Sequence, residues 1–141
     1  ERQGFRARRR PPLAFPVITD LDGFPYRRQI EQLTPYQLRG LGVFPDQTFS
    51  PTAAVHRADI AVLLEDILAR VMGRDLLAVK VGRGGSPFRD LDSIHYAYQA
   101  ATGLTRMGIM ETPGDRFGPE QPVSGAEVLL ILKRLAELLG L

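Results

Sequence analysis

The sequence of 141 residues contains no cysteine and no tryptophan, and it contains only two histidines. Without cysteine, the chain can form neither disulfides nor thiolate metal sites, and it cannot carry a lipid on a cysteine. No apolar run is long enough to span a membrane. The sequence also lacks a Ser-His-Asp arrangement, a phosphate-binding loop and the spacing of metal ligands. These absences predict a protein that is not an enzyme and that has no cofactor or metal ion.

The charged residues are unevenly distributed, although the net charge is only +2. Residues 1–14 form an arginine-rich segment in which Pro11 and Pro12 favour extended backbone. This extended basic arm is either a solvated tail or a segment that docks on an anionic partner. The rest of the chain has no basic face, which argues against nucleic acid as the partner. The residues of the arm that we expect to bind a partner are Phe5, Arg6, Arg8, Arg9 and Arg10.

One unit of sequence occurs twice. The segment Val55–Asp59 (VHRAD) precedes an apolar helical pattern, and Val123–Glu127 (VSGAE) precedes a matching one at an offset of 68 residues (123 − 55 = 68). A constant offset over many positions indicates an internal repeat. We therefore divide the chain into the arm, repeat 1 (residues 15–81), a flexible Gly-rich linker (residues 82–87) and repeat 2 (residues 88–141).

Each repeat is expected to end in a long helix, from about Arg57 to Met72 in repeat 1 and from about Gly125 to Leu139 in repeat 2. The apolar residues follow the i, i+3, i+4, i+7 pattern of an amphipathic helix. The hydrophobic fraction of 44% is enough for a core. The residues through which these two helices are expected to pack are Ile60, Leu64 and Ile67, and Val128, Leu132 and Leu135.

The starts of the two long helices differ. In repeat 2, Ser124 and Glu127 have the spacing of a capping box, in which each side chain bonds the other residue's backbone N–H. In repeat 1, His56 is a poorer cap. Arg57 lies in the first turn, where a cation opposes the helix dipole, so its removal should leave stability intact. An arginine beside free N–H groups is a candidate anion site; the alternative is that Arg57 lies on the surface or pairs with a carboxylate.

Shorter elements are expected before each long helix. In repeat 1, Tyr26–Leu33 should be helical, and Thr34 should cap a second helix with Leu38 on its inward face. In repeat 2, Ser93 should cap a helix that buries an alanine-rich face. The Asp-Leu-Asp segments at residues 20–22 and 90–92 lack the rest of a calcium loop and are interpreted as turns.

In their order, these motifs resemble S-layer homology repeats. The first copy contains Leu-Gly-Val (41–43), Pro-Asp-Gln-Thr-Phe-Ser-Pro (45–51) and Val-His-Arg-Ala-Asp (55–59). The second contains Met-Gly-Ile (107–109), Gly-Asp-Arg-Phe-Gly-Pro (114–119) and Val-Ser-Gly-Ala-Glu (123–127). The resemblance covers both repeats, from about residue 15 to the end.

The resemblance implies an all-α fold of tandem helix-loop-helix repeats packed about a pseudo-symmetry axis. It also implies a non-catalytic module of the bacterial cell envelope, in the periplasm or at the cell surface once a signal peptide is removed. Such a module would anchor an assembly to peptidoglycan or to a wall polysaccharide, often a pyruvylated one. Family members commonly carry three repeats, with ligand grooves between neighbours. Carried over to this chain, the polymer-binding residues are Arg57, His56, Tyr26 and Tyr96.

The sequence departs from the family pattern in ways that bear on function. Only two repeats are present, the tryptophan usual at the aromatic position is absent, and Gly125 replaces the motif arginine in repeat 2. These departures leave a second function open. The chain would then be a structural subunit that binds other envelope proteins and has lost polymer binding.

Overall fold

The computed structural model describes residues 18–40, 49–74, 78, 88–112 and 114–141. Four α-helices of known bounds lie in these ranges, and a 3-10 turn at Thr34–Tyr36 follows the first. The only β pairing within these ranges is an isolated bridge between His56 and Pro122. The predicted all-α fold is thereby confirmed, whereas the basic arm and the linker lie outside the described residues. The helices are α1 (Arg27–Leu33), α2 (Arg57–Met72), α3 (Tyr98–Arg106) and α4 (Gly125–Leu139).

The core forms where α2 packs against α3. Small residues on α3, among them Ala100, Ala101 and Gly103, are buried and allow the two helices to approach closely. Leu104 completes this face of α3, and Phe117 from the loop before α4 joins the same cluster. The α2 residues in the cluster are Ala58, Ala61, Val62, Leu64 and Leu68.

The bounds of α2 and α4 agree with the helices predicted from sequence, but their predicted packing is partly wrong. Leu64 is buried as expected. Leu132, which we expected in the core, is 50% exposed. Instead, α4 is fixed through Ile131, with Leu135 and Leu138 partly buried against the same cluster. The apolar stripe of α4 is wider than the surface available to cover it, so one side of the stripe stays in solvent.

Two shorter predictions also need correction. The second helix expected from Thr34 is only a three-residue 3-10 turn, because Gln37 adopts a left-handed conformation with φ of 49°. Ser93 does not cap a helix. The segment after it forms turns, and α3 begins only at Tyr98. The alanine-rich face of α3 is nevertheless buried as predicted.

Each repeat contains the same aspartate clamp. The two carboxylate oxygens of Asp20 accept hydrogen bonds from the backbone N–H groups of Phe49 and Ser50, both at 2.7 Å. Asp90 accepts from Phe117 and Gly118 at 2.8 Å each. Burial by itself would raise the pKa of Asp90, but the backbone N–H groups of Phe117, Gly118 and Asp90 itself, together with the charge of Arg116, lower it. The clamp ties the start of each repeat to the loop before its long helix.

Candidate functional site

The start of α2 is joined to the loop of repeat 2 through the backbone. The N–H of Val123 donates to the carbonyl of Val55 at 2.8 Å. In the first turn of α2, the N–H groups of Arg57 and Ala58 donate to the carbonyls of Gln121 and Pro119 at 2.9 and 3.0 Å. The first N–H groups of a helix have no partner within the helix. Here the neighbouring repeat supplies two of those partners, so His56 caps the helix without a side-chain hydrogen bond.

The side chain of Arg57 crosses the same contact between the two repeats, which we call the junction. Its Nε donates to the carbonyl of Phe117 and its Nη2 to the carbonyl of Glu111, both at 2.8 Å. Its Nη1 forms an ion pair with the carboxylate of Glu127. The guanidinium also lies 4.9 Å from the centre of the Phe117 ring, within the range of a cation–π contact. The side chain of Arg57 is only 10% exposed.

These contacts change the interpretation of two residues. The carboxylate of Glu127 pairs with Arg57, so the reciprocal half of the expected capping box is absent, while Ser124 does accept from the N–H of Glu127 at 3.1 Å. Burial lowers the pKa of Arg57, and the carboxylate of Asp90 opposes that shift. An arginine remains charged under such conditions. The positive charge of Arg57 is therefore directed into the junction.

A group of exposed polar side chains lies over this junction, and we call it the junction cluster: His56, Asp59, His95, Tyr96 and Glu120. The hydroxyl of Tyr96 donates to Asp59 at 3.0 Å, which links repeat 2 to the first turn of α2. The ring of Tyr96 stacks on that of His95, with ring centres 4.6 Å apart and an angle of 25°. The Nδ1 atom of His56 lies 3.7 Å from Asp59 and 4.0 Å from Glu120.

The surroundings of Tyr96 change the pKa of its hydroxyl. Partial burial, the hydrogen bond to Asp59 and the negative charges of Asp59 and Glu120 raise the pKa of Tyr96 to about 12. The Tyr96 hydroxyl thus stays protonated and remains a donor at neutral pH. Its ring is nevertheless accessible, since Tyr96 is 58% exposed. An exposed aromatic ring beside several polar groups is suited to a polar ligand that also has an apolar face.

The structure brings two of the four sequence-predicted site residues together at the surface, His56 and Tyr96. Arg57 lies beneath them in the junction. Tyr26 lies elsewhere, at the start of α1, where its ring packs edge-on against Phe24 with centres 5.9 Å apart. Two residues of the cluster were not predicted from the sequence, namely Asp59 as the partner of Tyr96, and Glu120. The family motif gave no indication that Tyr96 would meet the first turn of α2.

Within the ranges that the structure describes, no group of three or more His, Asp or Glu side chains is arranged to hold a metal ion. None of the helices seen there is long and apolar enough to cross a bilayer. The side chains of the junction cluster offer a ligand hydrogen bonds, an aromatic face and charge.

Comparisons with known proteins bear directly on this site. A family model for the S-layer homology domain matches residues 87–129, which include α3 and the loop that holds Arg57. The chain is also similar to "Cell surface glycoprotein 1" of Acetivibrio thermocellus, with 29% identity in an alignment of 114 positions that covers 74% of this chain. The chain spans 5% of that relative's length. No solved structure matches the chain.

The helical fold and the two matches make the chain similar to modules of cell-surface proteins. Residues 87–129, which run from just before α3 into the first turns of α4, match the S-layer homology family. Domains of this family are non-catalytic modules that attach proteins to the cell wall.

Proposed function

We propose that the junction cluster binds a cell-wall polysaccharide and thereby anchors a larger protein in the bacterial cell envelope. The observation that carries this proposal is the exposed ring of Tyr96, held in place by Asp59 across the boundary between the repeats. A sugar ring has apolar C–H faces and hydroxyl edges. The stacked rings of Tyr96 and His95 offer an apolar face, and the carboxylates of Asp59 and Glu120 accept hydrogen bonds from hydroxyl groups.

The charge of the junction cluster favours a neutral stretch of glycan over an acidic one. Asp59 and Glu120 are both acidic, whereas the charge of Arg57 is already engaged by Glu127. A pyruvyl or phosphate group placed beside Tyr96 would meet two carboxylates, and like charges repel. The pyruvylated polymer that the family resemblance implies is therefore less well supported than sugar hydroxyls as the group recognised.

The residues have different roles in this proposal. Tyr96 and His56 contact the polymer. Arg57 acts as a positioning residue, because its guanidinium holds the carbonyls of Phe117 and Glu111 in the loop that leads to Glu120. Direct contact of Arg57 with the polymer stays a prediction, as does a second contact at Tyr26.

The proposal is tested by co-sedimentation of the purified chain with wall sacculi, with and without their attached acidic polymers. Tyr96→Ala should weaken binding by about ten-fold or more, as expected for an aromatic anchor. Ile94→Ala is the matched control, because Ile94 lies two residues away and is 90% exposed. Tyr26→Ala tests the second predicted contact separately. Equal retention of wild type and Tyr96→Ala would refute the site, and binding only to acidic polymer would refute the neutral ligand.

The alternative function, a subunit that binds other proteins of the envelope, is favoured by a different observation. Three leucines on α4, Leu129, Leu130 and Leu132, are exposed. A group of apolar side chains at the surface is typical of a protein interface. This function is compatible with polymer binding, because none of these leucines belongs to the junction cluster.

A further inference from the structure

We propose that the chain associates with itself head to tail, so that α4 of one copy docks onto repeat 1 of a second copy. The basis is the junction within the chain, where α2 of repeat 1 docks onto repeat 2. The matching positions of the two repeats leave the same two surfaces uncovered at opposite ends of the described structure. The proposal goes beyond polymer binding and does not depend on it.

The first uncovered surface is the loop of repeat 1. The N–H of Ala53 donates to the carbonyl of Ser50 at 3.0 Å, and the N–H of Gln121 donates to the carbonyl of Gly118 at 3.0 Å. Ser50 and Gly118 both have left-handed backbone, with φ of 56° and 68°. The two loops therefore have the same turn, and each is held by its aspartate clamp.

The two loops differ in what covers them. In repeat 2, the carbonyls at Pro119 and Gln121 accept the first N–H groups of α2. The corresponding carbonyls in repeat 1 belong to Pro51 and Ala53. Both residues line an open surface pocket of about 560 Å³ beside Asp20. This loop thus has the geometry that receives a helix start in repeat 2, but in repeat 1 it faces a pocket.

The second uncovered surface is α4. By the offset of 68 residues, Gly125 and Ala126 correspond to Arg57 and Ala58, and both are exposed. The exposed leucines of α4 correspond to residues of α2 that the core covers. Leu129, Leu130 and Leu132 are 71%, 40% and 50% exposed, whereas Ala61, Val62 and Leu64 are 0%, 4% and 3% exposed.

Repeat 1 of a second copy offers what α4 lacks. Within the chain, α2 is covered by α3. The equivalent helix in repeat 1 is α1, which buries none of its residues and leaves Leu33 42% exposed. Repeat 1 of the second copy therefore presents both a loop that can accept the start of α4 and a helix, α1, that can cover the leucines of α4. A contact of this head-to-tail kind leaves the complementary surfaces of the outer copies free, so that further copies can add.

The contact between copies should be weaker than the junction within the chain. Gly125 has no side chain, whereas Arg57 at the matching position makes two hydrogen bonds and an ion pair. A Cβ added at Gly125 meets no atom within 4 Å. Gly125→Arg therefore fits without strain. Its guanidinium would reach the carbonyl of Phe49 and the carboxylate of Asp59 in the second copy, which are the counterparts of Phe117 and Glu127.

Sedimentation velocity of the 141-residue chain over a range of concentrations tests the proposal. The mean mass should rise with concentration. Gly125→Arg should strengthen association by about ten-fold, which is the effect of one added charge-assisted contact. Leu129→Glu should abolish association, because a carboxylate would be buried without a partner. Ile94→Glu is the matched control and should leave the mass unchanged, and circular dichroism should show the same helix content in all variants.

Three outcomes would overturn the proposal. The chain could remain a monomer at every concentration, even with Gly125→Arg. Association could persist in Leu129→Glu, or it could be lost in Ile94→Glu, and either result would assign the contact to another surface. Co-sedimentation with wall sacculi is measured separately on the same variants, so a failure of self-association leaves the polymer-binding proposal untouched, and the reverse also holds.

Discussion

The two long helices, α2 and α4, have the same apolar pattern but bury different faces. In α2, the residues Ala61, Val62 and Leu64 lie in the core beneath α3. In α4, the residues at the same positions are exposed, and Ile131 is buried instead. The pattern therefore specifies the helix, whereas the neighbouring element decides which side of a broad apolar stripe is covered.

The starts of the two helices show the same dependence on neighbours. α4 is capped by its own Ser124, whose hydroxyl accepts from the N–H of Glu127. α2 begins at His56, which makes no side-chain cap bond, yet its first N–H groups are satisfied by carbonyls of repeat 2. A poor local cap in the sequence can thus mark a helix start that is completed by another part of the chain.

The largest expected effect separates the two apolar faces directly. Leu64→Ala should lower the free energy of unfolding by about 2–5 kcal/mol, because it leaves a cavity in the core. Leu132→Ala, at the matching position of α4, should change it by less than about 0.5 kcal/mol, as is usual at the surface. Urea unfolding of the isolated chain at low concentration measures both. Equal losses for the two variants would show that the exposed face of α4 is covered in solution.

The sequence predicts the helices well because their signals are local. The bounds of α2 and α4 follow from the periodic apolar residues and from the caps at His56 and Ser124, which lie within a turn of the helix. The position of Leu132 does not follow from such signals. Whether this residue is buried depends on an element that would pack against it, and the spacing of leucines along α4 carries no information about that element.

The candidate site was only partly predictable for a similar reason. Tyr96 and His56 were identified from the motif, but their meeting through Asp59 depends on contacts between the repeats. The orientation of the Arg57 side chain could not be predicted from the sequence either, because its partners, the carbonyls of Phe117 and Glu111, are 60 and 54 residues away. Every residue has a backbone carbonyl, so the residue types do not indicate which carbonyl will accept a hydrogen bond from Arg57.

The second effect concerns Arg57, for which the structure reverses a prediction from the sequence. Because a cation at the start of a helix opposes the helix dipole, the sequence suggested that removal of Arg57 would leave stability intact. The structure instead shows a nearly buried guanidinium with two carbonyl bonds and an ion pair. Arg57→Ala should therefore cost about 2–3 kcal/mol, because bonds to a charged group are lost and Glu127 loses its partner. Urea unfolding of the purified variant measures this loss.

Gly125→Ala is the control for Arg57→Ala, since it changes the matching position of α4, where no such contacts exist. It should raise stability slightly, by up to about 1 kcal/mol, because alanine favours a helix over glycine. Arg57→Lys adds a second control, as lysine keeps the charge but cannot form the planar fork of hydrogen bonds. Full stability in Arg57→Lys would show that charge alone holds the junction.

The smallest effect compares the two caps. Ser124→Ala should lower the free energy of unfolding by about 1 kcal/mol, because the N–H of Glu127 loses its acceptor. The start of α4 is capped by this side chain of its own repeat. His56→Ala should cost less than about 0.5 kcal/mol, since carbonyls of Gln121 and Pro119 already accept the first N–H groups of α2. Thermal or urea unfolding at neutral pH distinguishes the two values. If His56→Ala proved as costly as Ser124→Ala, the start of α2 would depend on its own cap, and the contrast between the two helices would fail at this point.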